Sequence, residues 1–264
     1  MTDFSIALHE VNGGGQVGPE TPTVVLGHAL GVDSQIWEGV TRSLRGDWRI
    51  ILWDQPGHGD TPVPTFRPNI AMVAGKLVQA LEDVGVDKFH LGGISLGGMV
   101  SLALTAEFPQ RVRSLALLDC GPTLLPPEPW WERAQAVEQD GMGPLVDPTM
   151  KRWFTEGFTL GPTRDEYLRV RQIFARCDPA GYAFCCRMIA ATDLRGSLPE
   201  VRTPTLVLTG AEDAGMTPAQ AQKLASEIPG ATDEFQVVAP ARHLTCVEQA
   251  AAVAQSLESL WERH

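Results

Sequence analysis

A chain of 264 residues, 44% of them apolar, is long enough to bury a full core and fits one large α/β domain or one carrying an insertion. The formal net charge of -11 and a pI near 5.0 argue against nucleic acid or an anionic membrane as the main partner, because phosphate binding needs clustered cations. An anionic small molecule stays open if arginines are placed locally against that field.

The first ten residues, MTDFSIALHE, lack the basic region and apolar core of a secretory signal, and no apolar run approaches a membrane span. The expectation is a soluble, cytoplasmic protein. Asn12–Gly15 reads as an ordinary turn. Short β-rich runs then follow: Thr23–Gly27, which leads into the loop HALG, and Arg49–Asp54, which leads into QPGHG. After the loop at Thr61–Pro68 comes a helical pattern at Ile70–Val84, then a strand at Lys88–Gly92, a helix at Met99–Glu107 and a strand at Ser114–Asp119. These strands are apolar on successive positions, as expected when helices cover both faces of a parallel sheet. The β/α rhythm stops from about Gly121 to Leu198, a stretch rich in Trp, Arg and Pro with helical patterns at Trp131–Gln139 and Asp165–Arg176. It resumes with a strand at Thr205–Thr209, a helix at Pro218–Ile228 and a strand at Glu234–Val238. The reading is a doubly wound, mostly parallel α/β sheet. Residues 1–120 and 199–264 form its core domain, and residues 121–198 form an inserted helical cap. The five cysteines have no metal-type spacing and read as reduced, mostly buried thiols.

Within GGISLGGM, Ser95 lies between Gly93 and Gly97 where a strand becomes a helix. A sharp turn there needs small neighbours and leaves the serine exposed. A serine hydroxyl needs a base, and the base needs an orienting group. Asp213 follows the strand at Thr205–Thr209, and His243 follows the last strand. In a parallel sheet the carboxyl ends of the strands share one edge, so the three can converge. Taken singly, G-x-S-x-G arises by chance, a late histidine is commonly structural, and Asp213 suits a turn. Asp119, also at a strand's carboxyl end, is a competing acid. Donors for a developing oxyanion should be the backbone N–H of Leu96 and that of Leu30 in the HALG loop, with Ala29 as second choice. His28 and His58 read as structural turn histidines. His90 and His9 carry no functional argument.

With these residues assembled, the chain resembles the α/β-hydrolase fold family over nearly its whole length. Within it the chain is similar to 3-oxoadipate enol-lactonases, on WWERAQAV (130–137), RWFTEGF (152–158), DPAGYAFCC (178–186), DLRGSL (193–198) and IPGA (228–231). The resemblance implies a cofactor-independent carboxylic ester hydrolase, without a metal, in which Ser95 attacks a lactone carbonyl and His243 moves the protons. It also implies a small-molecule substrate with a carboxylate; the chain is expected to be a monomer or small homo-oligomer. Arg133, three residues after Trp130 on one helix face, is the first choice for that carboxylate, with Trp130 as a pocket wall. Arg152 and Arg187 are weaker candidates. The chain departs from the lactonase pattern at Gln55-Pro56, in GHALGVD and at Leu244-Thr245-Cys246, changes expected to surround the pocket mouth. An esterase or lactonase for a related substrate, a carbon–carbon bond hydrolase of the same fold and a non-catalytic scaffold are the competing readings.

Overall fold

A computed structural model describes residues 4–12, 17–18, 20–231 and 234–264. Residues 13–15 of the turn expected at Asn12–Gly15 lie outside them. The described strands are β1 (Leu8–Asn12), β2 (Thr23–Gly27), β3 (Arg49–Trp53), β4 (Phe89–Ile94), β5 (Val112–Leu118), β6 (Thr205–Gly210) and β7 (Phe235–Val238). They form one sheet in the order β1-β3-β2-β4-β5-β6-β7, parallel throughout except for β1, which pairs antiparallel with β3. Every residue of β2, β4 and β6 is buried, the signature of strands covered on both faces.

The helices are α1 (Glu38–Ser43), α2 (Ile70–Asp83), α3 (Leu96–Glu107), α4 (Glu128–Asp140), α5 (Gly143–Trp153), α6 (Arg164–Arg176), α7 (Pro179–Ala190), α8 (Pro218–Glu227), α9 (Thr245–Glu248) and α10 (Ala250–Trp261). Asn69 starts α2 by accepting from the backbone N–H groups of Ala71 and Met72, and the helix buries Ile70, Val73, Ala74, Leu77, Val78 and Leu81, a face with three- and four-residue spacing. By contrast α3 is buried almost all round, packed on α2, β4 and β5. Its two buried hydroxyls are satisfied within the helix, Ser101 donating to the Gly97 carbonyl and Thr105 to that of Ser101, each at 2.8 Å.

Helices α4 to α7 occupy the interval between β5 and β6, and α4 packs along α7. The base of this segment is tied where its ends meet, by a bridge between Thr123 and Asp193 and by the Leu194 N–H donating to the Pro122 carbonyl at 2.9 Å. Among the described residues no helix is long and apolar enough to cross a membrane, and the five cysteines are free thiols.

Candidate active site

Strand order decides where chemistry can gather. Since β3 and β4 flank β2 on opposite sides, the crevice beyond the carboxyl ends of β2 and β4 is the point where the winding reverses, the place open parallel sheets offer to ligands. Gly27 at the end of β2 is level with Gly93 of β4, so the loop after β2 and the turn after β4 lie side by side.

That turn carries Ser95 at φ 55° and ψ -116°, a left-handed backbone rarely occupied by a residue with a side chain. It is held there by its N–H, which donates to the Leu118 carbonyl at 2.9 Å, and by its own carbonyl, which accepts from Met99 at 3.0 Å. A Cβ on Gly97 would come within 2.3 Å of the Gly27 carbonyl oxygen, and one on Gly93 within 2.3 Å of the Gly97 backbone. The small flanking residues are therefore required by contact, as the sequence led us to expect. Leu96 is the first residue of α3, so its N–H has no partner within the helix and stands directly behind the serine.

From this turn a chain of hydrogen bonds runs across the sheet edge. His243 Nδ1 lies 2.8 Å from Asp213 Oδ2, and Nε2 lies 3.0 Å from Ser95 Oγ. A carboxylate can only accept, so Nδ1 carries the proton and Nε2 is free to accept the hydroxyl's. The second oxygen of Asp213 accepts from the Gly215 N–H at 2.7 Å. Burial pulls the His243 pKa down, but the Asp213 bond and charge, helped by Asp119, outweigh it and leave the pKa raised. Asp119 does not contact the imidazole in this way. It accepts from the Gly210 N–H at 2.8 Å and from the Thr245 hydroxyl at 2.5 Å, and burial pushes its pKa up to about 7.

Two buried histidines fasten the loop that carries Leu30. His58 Nε2 accepts from the Gly31 N–H at 2.9 Å while Nδ1 faces the Pro56 carbonyl at 3.0 Å. His28 Nε2 accepts from the Gln55 N–H at 2.8 Å, and Nδ1 faces the Ala29 carbonyl at 2.7 Å. Each ring is a neutral strut because its Nε2 accepts an N–H, and desolvation lowers both pKa values, that of His58 to about 3. From the sequence they read as structural turn histidines; the Nδ1 partners are local carbonyls, whereas the Nε2 partners, twenty-seven residues away in each case, leave no local signal.

A cavity of about 260 Å³ opens beside this relay, walled by Leu30, Ser95, Trp130, Arg133, Arg152, Trp153, Tyr182, Asp213 and His243 among others. Arg133 donates to the Tyr182 hydroxyl at 3.2 Å and lies over the Trp130 ring, 5.3 Å from its centre. Arg152 enters from α5, and desolvation followed by the nearby Arg133 charge lowers its pKa. Among the described residues neither Arg133 nor Arg152 is within ion-pair distance of a carboxylate. Arg187 is the exception among the candidates: it grips Glu138 through two 2.6 Å bonds and does not line the cavity. The departures at Gln55 and at Leu244–Cys246 also do not line it. They are buried, which corrects their expected place at the mouth, whereas the departure in GHALGVD does reach the cavity through Leu30. His9, Asp54 and Asp60 bring potential metal-ligand atoms within 4.8 Å of one another. There, however, the Asp54 carboxylate already meets the His9 ring and the N–H groups of Ser34 and Asp60.

The comparisons with known proteins agree with this architecture. Residues 22–143 match the model of the alpha/beta hydrolase fold. 3-Oxoadipate enol-lactonase 1 of Acinetobacter baylyi is 30% identical across 88% of this chain and 86% of its own length. The crystal structure of the enol-lactonase from Burkholderia xenovorans superposes with a TM-score of 0.90 at 29% identity, covering 97% of each chain. A pimeloyl-[acyl-carrier protein] methyl ester esterase of Aromatoleum aromaticum is 32% identical over 80% of this chain and 87% of its own. The chain belongs to the α/β-hydrolase fold family. Within that class it is a carboxylic ester hydrolase, similar to the 3-oxoadipate enol-lactonases.

Proposed function

We propose that the protein opens a lactone bearing a carboxylate, with 3-oxoadipate enol-lactone as the first substrate to test, through an acyl-serine on Ser95. The observation that carries this reading is the Ser95–His243–Asp213 relay facing a cavity whose wall holds two arginines without a carboxylate partner. His243 takes the Ser95 proton as Oγ attacks the carbonyl, and the N–H groups of Leu96 and Leu30 receive the oxyanion. The proton then passes to the departing enolate oxygen, which relaxes to a ketone and makes ring opening favourable. Water, deprotonated by His243, releases the acid. Arg133 and Arg152 bracket the substrate carboxylate, and Trp130 walls the pocket. We further propose that residues 121–198 act as one cap whose helices set substrate choice.

Loss of the ultraviolet absorbance of 3-oxoadipate enol-lactone tests this directly, run beside a neutral aryl ester. Turnover of the lactone that Ser95→Ala abolishes supports both the nucleophile and the substrate. Cleavage of the aryl ester alone, still through Ser95, keeps the relay and discards the lactone. The 32% identity to a methyl ester esterase makes a methyl ester the next substrate to try.

A further inference from the structure

The mechanism above leaves unused a buried carboxylate, Glu248, which is 8% exposed at the end of α9. One of its oxygens accepts from the Thr155 N–H at 2.8 Å and the Thr155 hydroxyl at 2.6 Å. The other accepts from the Arg242 N–H at 2.6 Å. Thr155 follows the end of α5, and Arg242 immediately precedes His243, so a single side chain spans the helical segment and the histidine loop. Further bonds join the same two stretches. Arg242 Nη1 donates to the Lys151 carbonyl at 2.7 Å and that of Phe154 at 3.0 Å, and the Leu244 N–H reaches the Trp153 carbonyl at 3.4 Å. Inside this stitched region the Trp153 ring stacks on His243, with centres 6.4 Å apart and planes 24° apart, and Arg152 reaches the cavity.

We propose that Glu248 is a positioning residue: its carboxylate clips the end of α5 to the histidine loop, fixing His243 against Trp153 and holding Arg152 in the cavity wall. This rests on the reading of Ser95 and His243 given above. The clip needs an acceptor at each end. A glutamine supplies one acceptor and one amino group, so Glu248→Gln leaves an N–H donor facing either Thr155 or Arg242.

The test measures hydrolysis of 4-nitrophenyl acetate by the full chain, Glu248→Gln and Arg242→Met, each normalised to the serines that a fluorophosphonate labels at completion, and by Ser95→Ala, which lacks the labelled serine and is compared per mole of protein. Glu248→Gln is expected to lower kcat per labelled site on the order of 10²-fold, the scale of an ångström's misplacement of the base, with KM for the neutral ester unchanged. Arg242→Met removes two side-chain hydrogen bonds and a 3.8 Å ion pair to Glu212 at a half-exposed site and keeps Glu248. It should lower kcat about tenfold in the same manner, because part of the clip survives. A merely structural role would reduce the number of labelled sites and leave kcat per site at the parent's value; that result overturns the proposal. If Ser95→Ala retains the parent's turnover, the reading of the relay fails and the clip fails with it. If Ser95→Ala is inactive and both other variants match the parent, the clip alone is wrong.

Discussion

The sheet edge and the helices above it are assembled by different means. At the edge, backbone meets backbone, and a single methyl group on Gly97 would lie 2.3 Å from a carbonyl oxygen. In the helical segment, Gly181 of α7 meets the Gly57 backbone just as closely, but Gly143 and Gly157 have nothing within 4 Å of where a Cβ would be, and the cavity wall is made by long side chains such as Trp130, Arg133 and Arg152. The contrast teaches where each property resides. The turn geometry of Ser95 rests on main-chain contacts that admit few residues, whereas on the reading proposed above selectivity rests on the long side chains of the cavity wall.

The largest expected effect lies on the edge. Asp213→Asn should lower kcat by about 10⁴-fold, since an amide no longer fixes the His243 tautomer. Asp119→Asn, whose carboxylate is spent on Thr245 and Gly210, should cost less than about tenfold. Steady-state kinetics on one ester would compare them, and equal losses would break the assignment of the acid. A stability contrast comes next. Gly97→Ala should destabilise by more than about 3 kcal/mol because neither carbonyl beside it can retreat, and Gly157→Ala should stay within about 0.5 kcal/mol. Urea unfolding of the two variants measures both.

Third in size is selectivity. Arg133→Met and Arg152→Met should each lower kcat/KM for a carboxylated lactone by roughly 10- to 100-fold, the loss of a charge-assisted hydrogen bond, and leave a neutral aryl ester nearly untouched. Arg187→Met should change neither, because its guanidinium serves Glu138. Equal losses on both substrates would mean that the arginines support the fold rather than the substrate.

The same contrast explains what the sequence disclosed. Strands buried on both faces are continuous apolar runs, so β2 to β6 could be read directly, and with them the loops carrying Ser95 and Asp213; β7, which precedes His243, is mostly only part-buried and was read from its short β-rich run instead. The antiparallel edge strand β1 was not anticipated, because Leu8, His9, Glu10 and Val11 are at most half-buried and the run is short and mixed. Helix α5 has Pro148 inside it, and α7 carries adjacent cysteines; both fell outside the helical stretches singled out. The spacing from Trp130 put Arg133 first, but between Arg152 and Arg187 the sequence had no means of choosing. What separates Arg187 is Glu138, forty-nine residues away and brought close only by the packing of α4 on α7. Glu248 shares this difficulty, since its partners Thr155 and Arg242 meet it only in the folded chain.

The smallest effect joins the two regions. His243 must be neutral to accept a proton, and its pKa is raised above the ordinary histidine value. Activity should therefore be full on the alkaline side and fall as pH drops through a midpoint above about 6.5. Burial opposes the charged imidazole, Asp213 and Asp119 favour it, and the Arg152 cation in the helical segment disfavours it. Arg152→Met should thus move the midpoint of the kcat/KM limb up, and Asp119→Asn should move it down, each by less than about one unit. A neutral ester is the substrate of choice, so that loss of the carboxylate contact does not enter the profile. A shift for Asp119→Asn with none for Arg152→Met would confine electrostatic control of the base to the sheet edge. Opposite shifts in the two variants would show that the selectivity wall also tunes the reacting proton.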